Sequence, residues 1–138
     1  MPAKDKYHLA VRVALEKEGW VITHDPLYVR FLDKELWIDL AAERVIAAEK
    51  QGQKIAIEIK SFLGSSVLSE FHEALGQFIN YRAVLLEKEP ERVLYLAVPV
   101  DTFDAFFNAP FGEFAIRSFQ LRLLVYRASR QEIVQWIE

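Results

Sequence analysis

The sequence predicts an α/β (α+β) fold in which a mixed sheet lies between layers of helices. Segments with apolar residues at helical spacing alternate with strand-like segments in the order α-β-β-β-α-β, and a further helix and strand follow. The apolar run RVLYLAVPV (92–100) is typical of a strand that is buried on both faces. The chain of 138 residues fits one domain spanning residues 1–138, and its hydrophobic fraction of 52% suffices to form a core.

The N-terminal part predicts a helix followed by strands. Residues 4–18 carry apolar side chains at helical spacing, and Gly19 is expected to end the helix. Strand-like segments at 20–24 and 27–32 follow, with a turn at Asp25-Pro26 between them.

The next part predicts a hairpin. Residues 36–49 are interpreted as a kinked strand, although AAERVIAAEK (41–50) would also suit a helix. Its expected partner is 53–60, across a turn at Gly52. In that partner Ile55, Ile57 and Ile59 alternate with other residues, so the isoleucine side is expected to face a core.

The C-terminal half predicts a crossover helix and a second group of elements. Ser69 is expected to cap a helix over 70–88, which ends before Pro90. After the buried strand, residues 101–113 predict a short helix rich in Phe, and LRLLVY (121–126) predicts a strand. The final QEIVQWIE is a short element of undefined type.

Composition and charge exclude several function classes. The absence of cysteine excludes disulfides, zinc ribbons and thiol catalysis, and favours a cytoplasmic location. We find neither an apolar run of about 20 residues nor a secretion signal, so no membrane association is expected. The net charge of −3 does not suit a protein that coats DNA. Any role on nucleic acid must therefore depend on a local site, a metal ion or a partner.

Asp39, Glu58 and Lys60 form the first candidate site. Glu58 and Lys60 share one face of their strand, since strand side chains alternate. Pairing of the two strands would bring Asp39 close to Glu58, and two carboxylates form an oxygen site that suits Mg²⁺ or Mn²⁺. Such a metal, together with Lys60, would serve phosphodiester hydrolysis. Read alone, Glu58 and Lys60 also suit a solvated strand face with a weak ion pair.

Gln77 and Tyr81 add a second candidate feature on the crossover helix. They are four residues apart and therefore lie on the same helical face, next to Glu73. Their ordinary interpretation is an amphipathic boundary with a wetted tyrosine hydroxyl. Their position directly after the strand of Glu58 favours a shared site.

These motifs resemble those of a nuclease superfamily. Asp39 with Glu58-Ile59-Lys60 matches the Asp…Glu-x-Lys pattern of the PD-(D/E)XK nucleases, and residues 4–98 resemble their αβββαβ core in order. Gln77 and Tyr81 resemble the Gln-x-x-x-Tyr motif of the RecB-like and resolvase-like branches. The resemblance implies a restriction-endonuclease-like three-layer sandwich with catalytic Asp39, Glu58, Lys60, Gln77 and Tyr81. One departure is Ile38, which stands where the pattern has proline.

Some branches of that superfamily carry an acid on the first helix. Asp5, His8 and Glu16 are the candidates for an equivalent residue here. We favour His8, because the first helix often lines the active site in these enzymes.

The whole chain also resembles a narrower family. The blocks AKDKYHLAVRVALEKEGWVITHDPL, IDLAAERVIAAEKQGQKIAIEIKSF and FHEALGQFINYRAVL resemble the cyanobacterial fdxN-element excision controlling factor family, XisH. This resemblance implies a role in DNA rearrangement, with DNA, a XisI-type companion protein and a site-specific recombinase as partners. Two functions stay open: a Mg²⁺-dependent DNA endonuclease, or a non-catalytic accessory that assembles with the companion. A homodimer stays open as the assembly state.

Overall fold

A six-stranded mixed sheet lies at the centre of the fold in the computed structural model, which describes residues 4–46 and 51–138. The strands follow the order β1-β4-β5-β6-β7-β8 across this sheet. The pairs β5–β6 and β6–β7 are parallel, and the other pairs are antiparallel. The elements are α1 (His8–Lys17), β1 (Val21–His24), β2 (Leu27–Phe31), β3 (Lys34–Ile38), β4 (Leu40–Ile46), β5 (Gln51–Ile59), α2 (Val67–Lys88), β6 (Arg92–Pro99), α3 (Val100–Thr102), a π-helical turn (Phe103–Phe107), α4 (Pro110–Phe119), β7 (Leu123–Arg127), a 3₁₀ turn (Ala128–Arg130) and β8 (Glu132–Ile137).

Helices cover the sheet on both faces, which confirms the predicted mixed sandwich. Ile57 and Ile59 of β5 pack with Val11 and Leu15 of α1 in one core. Ala56 lies in a second core with the aromatic side chains of α2 and of the π-helical turn. The side chains of β5 therefore alternate between two cores, one on each face of the sheet. Within the described residues, no helix is both long and apolar enough to cross a membrane.

The predicted strand over 36–49 is divided at Asp39. Residues before the division belong to β3, which pairs with β2 in a separate two-stranded hairpin. Residues Leu40–Ile46 pair with Gln51–Ile57 in the main sheet, so the expected pairing holds there and the helical alternative is wrong. The division follows from one side-chain contact, because the Asp39 carboxylate accepts the hydrogen bond from the Ile59 N–H that a continued strand would accept with its backbone.

Two expected local features are wrong. Gly52 is not a turn residue but lies within β5 opposite Val45, and residues 47–50 between the strands lie outside the described residues. The cap of α2 is Ser66 and not Ser69, since Ser66 Oγ accepts a hydrogen bond from Ser69 N at 3.1 Å. The helix thus begins three residues earlier than predicted, and Ser69 supplies a first-turn donor.

The predicted helix over 101–113 is broken into separate pieces. Pro110 starts α4 as a new helix, because proline has no N–H to continue the preceding one. Gly112 lets α4 lie against the π-helical turn, since a Cβ there would be 2.1 Å from the Phe106 carbonyl oxygen. The final segment is the edge strand β8, so two strands follow α4 where the prediction had one.

Candidate active site

The five residues predicted on strand and helix line one cavity of about 160 Å³. The cavity lies at the end of β5, under α2 and beside the bend between β3 and β4. Its lining comprises Asp39, Glu58, Lys60, Gln77 and Tyr81, together with Asp5, Trp37 and Ile59. Sequence reasoning did not propose Trp37, whose position two residues before Asp39 was the available signal.

The Asp39 carboxylate is held against the end of β5. Its Oδ2 accepts a hydrogen bond from the Ile59 N–H at 2.7 Å. The pairing of β4 with β5 begins at Leu40, which lies opposite Ile57. Asp39 therefore lies just outside the paired part of the two strands. The bend that ends β3 therefore directs the carboxylate towards the strand that carries Glu58.

Glu58 is buried beside Asp39 and forms a hydrogen bond with its side chain. The Glu58 residue is only 5% exposed. Burial raises the pKa of Glu58 to about 10, and a side-chain hydrogen bond with Asp39 and its negative charge act in the same direction. The charge of Lys60 and a hydrogen bond from the Asp39 backbone oppose this rise without cancelling it. At neutral pH the Glu58 carboxyl group therefore keeps its proton.

Lys60 lies between the two carboxyl groups and the rim of the cavity. Its Nζ lies 3.8 Å from Oε1 of Glu73, and the two side chains are 23% and 69% exposed. Its backbone is fixed on both sides, since Lys60 N donates to the Ala97 carbonyl and Tyr126 Oη donates to the Lys60 carbonyl. The backbone of Lys60 is therefore held in place, whereas its ammonium group is accessible to solvent and only weakly bound to Glu73.

Gln77 and Tyr81 bring polar groups from α2 to the same cavity. Gln77 Oε1 is buried and has no hydrogen-bond donor among the described residues. Burial raises the pKa of Tyr81 to about 12, and the charges of Glu58 and Asp39 contribute further. Tyr81 is therefore a hydrogen-bond donor at neutral pH. A buried acceptor without a donor indicates a place for a water, a ligand or a cation.

The structure places the three candidates of the first helix differently from one another. Asp5 lines the cavity, and its carboxylate accepts hydrogen bonds from Tyr7 N at 2.9 Å and Ser61 N at 3.1 Å. His8, the favoured candidate, is not among the lining residues: its Nε2 lies 2.6 Å from Asp25 Oδ1. Glu16 lies two turns further along α1, at the exposed edge near Arg12.

The contact with Asp25 explains why His8 does not line the cavity. Burial raises the pKa of Asp25, but hydrogen bonds from Arg12 and His8 and the charges of His8 and Lys4 outweigh burial and lower it. The carboxylate is therefore ionised and attracts the imidazole into a cluster beside β1. The sequence places Asp25 in a turn seventeen residues from His8, and it contains no local signal for this contact.

The polar atoms of the cavity that could hold a metal ion are oxygens. Asp39 and Glu58 supply carboxyl groups, and Gln77 Oε1, which has no donor among the described residues, is a further oxygen. Residues 4–46 and 51–138 contain no group of three or more His, Cys, Asp or Glu that could hold a metal ion. Two carboxylates suit Mg²⁺, because this ion keeps several waters and is often bound by one or two protein carboxylates.

Comparisons with known proteins agree on one family. The family model described as XisH protein matches residues 1–134. The chain is similar to the crystal structure of an XisH family protein from Nostoc punctiforme PCC 73102, with 49% identity, a TM-score of 0.88 and coverage of 97% of this chain and 100% of that one. It is also similar to the structure of a fdxN element excision controlling factor protein from Anabaena variabilis, with 49% identity, a TM-score of 0.89 and coverage of 98% and 100%. Among curated proteins no match is found. On these matches, the chain belongs to the XisH family.

Proposed function

We propose that this protein acts in DNA excision and that its candidate active site hydrolyses DNA phosphodiester bonds with Mg²⁺ or Mn²⁺, as the PD-(D/E)XK nucleases do. The observation that supports this proposal most strongly is that Asp39, the buried Glu58 and Lys60 line one cavity. The description of the Anabaena variabilis protein as an excision controlling factor supports the biological setting.

Each side chain of the cavity has a role in this proposal. When bound, Mg²⁺ would activate water and neutralise the charge that develops on the phosphate. Asp39 and Glu58 would hold the ion after Glu58 releases its proton. Lys60 would turn from Glu73 towards the phosphate and stabilise its negative charge.

The α2 side chains would orient the reacting groups. Gln77 Oε1, which has no donor among the described residues, would accept a hydrogen bond from the attacking water. Tyr81, with its hydroxyl protonated at neutral pH, would donate to a phosphate oxygen. Both roles follow from hydrogen-bonding capacity, since Gln77 offers an acceptor and Tyr81 a donor.

The test is DNA cleavage by the purified protein with Mg²⁺ or Mn²⁺, on duplex and branched substrates. We expect Glu58→Gln and Lys60→Ala each to lower the cleavage rate by at least a hundredfold, as removal of one charge-stabilising group does in other enzymes. Lys34→Ala is the matched control, because this lysine is exposed on the β2–β3 hairpin. A wild-type protein that cuts no DNA, alone or with a XisI-type protein, would refute the nuclease proposal.

A second candidate function is a non-catalytic accessory that assembles with a XisI-type partner and assists a site-specific recombinase. The observation in its favour is an exposed aromatic surface on α4, where Phe111 and Phe114 are 51% and 52% exposed. Such a surface suits contact with another protein. Excision in cells distinguishes the two functions: it survives Lys60→Ala if the role is accessory, and it is lost with retained partner binding if the site is catalytic.

A further inference from the structure

A second cavity, of about 440 Å³, opens at the other end of β5 from the candidate active site. Its lining includes Ile55 and Tyr95, which belong to the core on the α1 side of the sheet. It shares no lining residue with the cavity of Glu58. We name it the Trp136 cavity, after the β8 side chain on its wall. Its size falls in the range of small-ligand sites, roughly 300–1,000 Å³.

Three aromatic side chains form a preorganised wall of the Trp136 cavity. The Trp136 ring packs edge-on against Tyr95, with 4.9 Å between centroids, and lies 6.0 Å from the Trp20 ring. Trp20 and Tyr95 are each only 5% exposed, so the sheet and α1 fix their positions. Trp136 is further held by a hydrogen bond from its Nε1 to Glu18 at 3.3 Å. A flat apolar ligand would therefore meet the partly exposed Trp136 ring, which the two buried rings hold in place.

Cationic side chains surround this aromatic wall. Arg44, Lys54 and Arg122 line the cavity, against the two acids Glu91 and Glu138. The lining thus carries a formal charge of +1 (three cations minus two acids), whereas the whole chain carries −3. This local reversal of sign favours an anionic ligand.

The position of the Arg44 guanidinium is defined by its neighbours. It lies 4.5 Å from the Trp20 ring centroid, and its Nη2 donates a hydrogen bond to Gln53 Oε1 at 2.9 Å. Among the described residues, no carboxylate forms an ion pair with Arg44. Lys54 differs, because its Nζ lies 3.9 Å from Oε1 of Glu43. A guanidinium held at a ring face, with donors left over, is suited to bind a phosphate beside a stacked base.

We propose that the Trp136 cavity binds a nucleotide, with the base against the aromatic wall and the phosphate at Arg44 and Lys54. Stacking accounts for the aromatic wall, because every base has a face that aromatic rings accept. The two cationic side chains would bind the phosphate. Because the Trp136 cavity is separate from the candidate active site, its role would be other than phosphodiester cleavage. The nucleotide is either a free mononucleotide or a residue of single-stranded DNA, since both present the same base and phosphate.

The three tryptophans provide a site-resolved test. Trp20 and Trp136 line the Trp136 cavity, and Trp37 lines the candidate active site. In ¹⁵N-labelled protein, titration with 2′-deoxyadenosine monophosphate should shift the indole N–H signals of Trp20 and Trp136 and leave that of Trp37 in place. Arg44→Gln and Lys54→Gln should each weaken binding by roughly tenfold or more, as loss of a charge-assisted hydrogen bond predicts.

Controls separate this proposal from the nuclease proposal. Arg30→Gln removes an exposed arginine from the β2–β3 hairpin and should leave the affinity unchanged. Glu58→Gln should also leave nucleotide binding unchanged, although it should abolish metal-dependent cleavage. Signals that do not move with millimolar nucleotide, a shift of Trp37 alone, or wild-type affinity in folded Arg44→Gln and Lys54→Gln would each overturn the proposal.

Two further ligands identify the source of the nucleotide. Deoxyadenosine, which lacks the phosphate, should bind at least about tenfold more weakly than the monophosphate. A short 5′-phosphorylated oligodeoxyadenylate that binds more tightly than the monophosphate, with steeper salt dependence, would assign the site to a DNA strand. Binding of the monophosphate without the oligonucleotide would assign it to a free nucleotide.

Discussion

Glu58→Gln provides the sharpest test of the buried Glu58 carboxyl group, because it removes a titrating group with little change in shape. Glu58 is 5% exposed, and its pKa is raised from 4.5 to about 10 by burial and by Asp39. A glutamine amide can donate a hydrogen bond to Asp39, as the protonated Glu58 does. The variant should therefore fold, and only the pH dependence of its stability should change.

The expected magnitude follows from proton linkage. Between pH 4.5 and about 10 the folded protein holds the proton on Glu58, whereas the unfolded chain releases it. Folding thus takes up one proton, and each rise of one pH unit lowers the free energy of unfolding by about 1.36 kcal/mol. This stabilising contribution is complete below pH 4.5 and is lost as the pH rises through about 10. From pH 6 to pH 8, Glu58→Gln should gain about 2.7 kcal/mol of stability relative to wild type.

The assay is urea unfolding of both proteins at several pH values, without divalent cations. Glu73→Gln is the matched control, because Glu73 is 69% exposed and lies on the other side of Lys60. The difference between Glu73→Gln and wild type should not vary with pH. If the stability curves of Glu58→Gln and wild type are parallel to within about 0.5 kcal/mol from pH 6 to pH 8, Glu58 does not hold a proton in the folded state.

Three further predictions concern the metal, the acidic cluster and the α4 contact. Mg²⁺ binding at neutral pH should release close to one proton, because the ion replaces the Glu58 proton. Calorimetry in buffers of different ionisation enthalpy measures this release, and its absence would contradict a protonated Glu58 in the metal-free protein. Asp25→Asn should cost about 1–3 kcal/mol at neutral pH, as it removes the partner of Arg12 and His8. Since the pKa of Asp25 is lowered, that cost should shrink as the pH falls below 3.8 in acid unfolding curves, and a constant cost would refute this reason. Gly112→Ala should lower thermal stability by about 1–3 kcal/mol through its clash with the Phe106 carbonyl, and an unchanged melting temperature would show that α4 can move away.

Part of the candidate site could be predicted from the sequence, because the direction of a side chain follows from the local strand or helix geometry. Glu58 and Lys60 lie on one face since strand side chains alternate, and Gln77 and Tyr81 share a face since a helix turns every 3.6 residues. The isoleucines of β5 face the α1 core for the same reason. These periodicities hold wherever the strand and helix form, so the sequence by itself determined the faces on which the residues lie.

Other features depend on contacts between distant parts of the chain, and only the tertiary structure decided them. The bend at Asp39 follows from its hydrogen bond to Ile59, twenty residues away. The choice of Asp5 over His8 at the cavity depends on Ser61 and on Asp25, which hold the two side chains in different places. The aromatic wall requires Trp20 and Trp136, from opposite ends of the chain, to meet at the same core. Side-chain periodicity states which way a residue faces, but the partner it meets is set by how the layers pack.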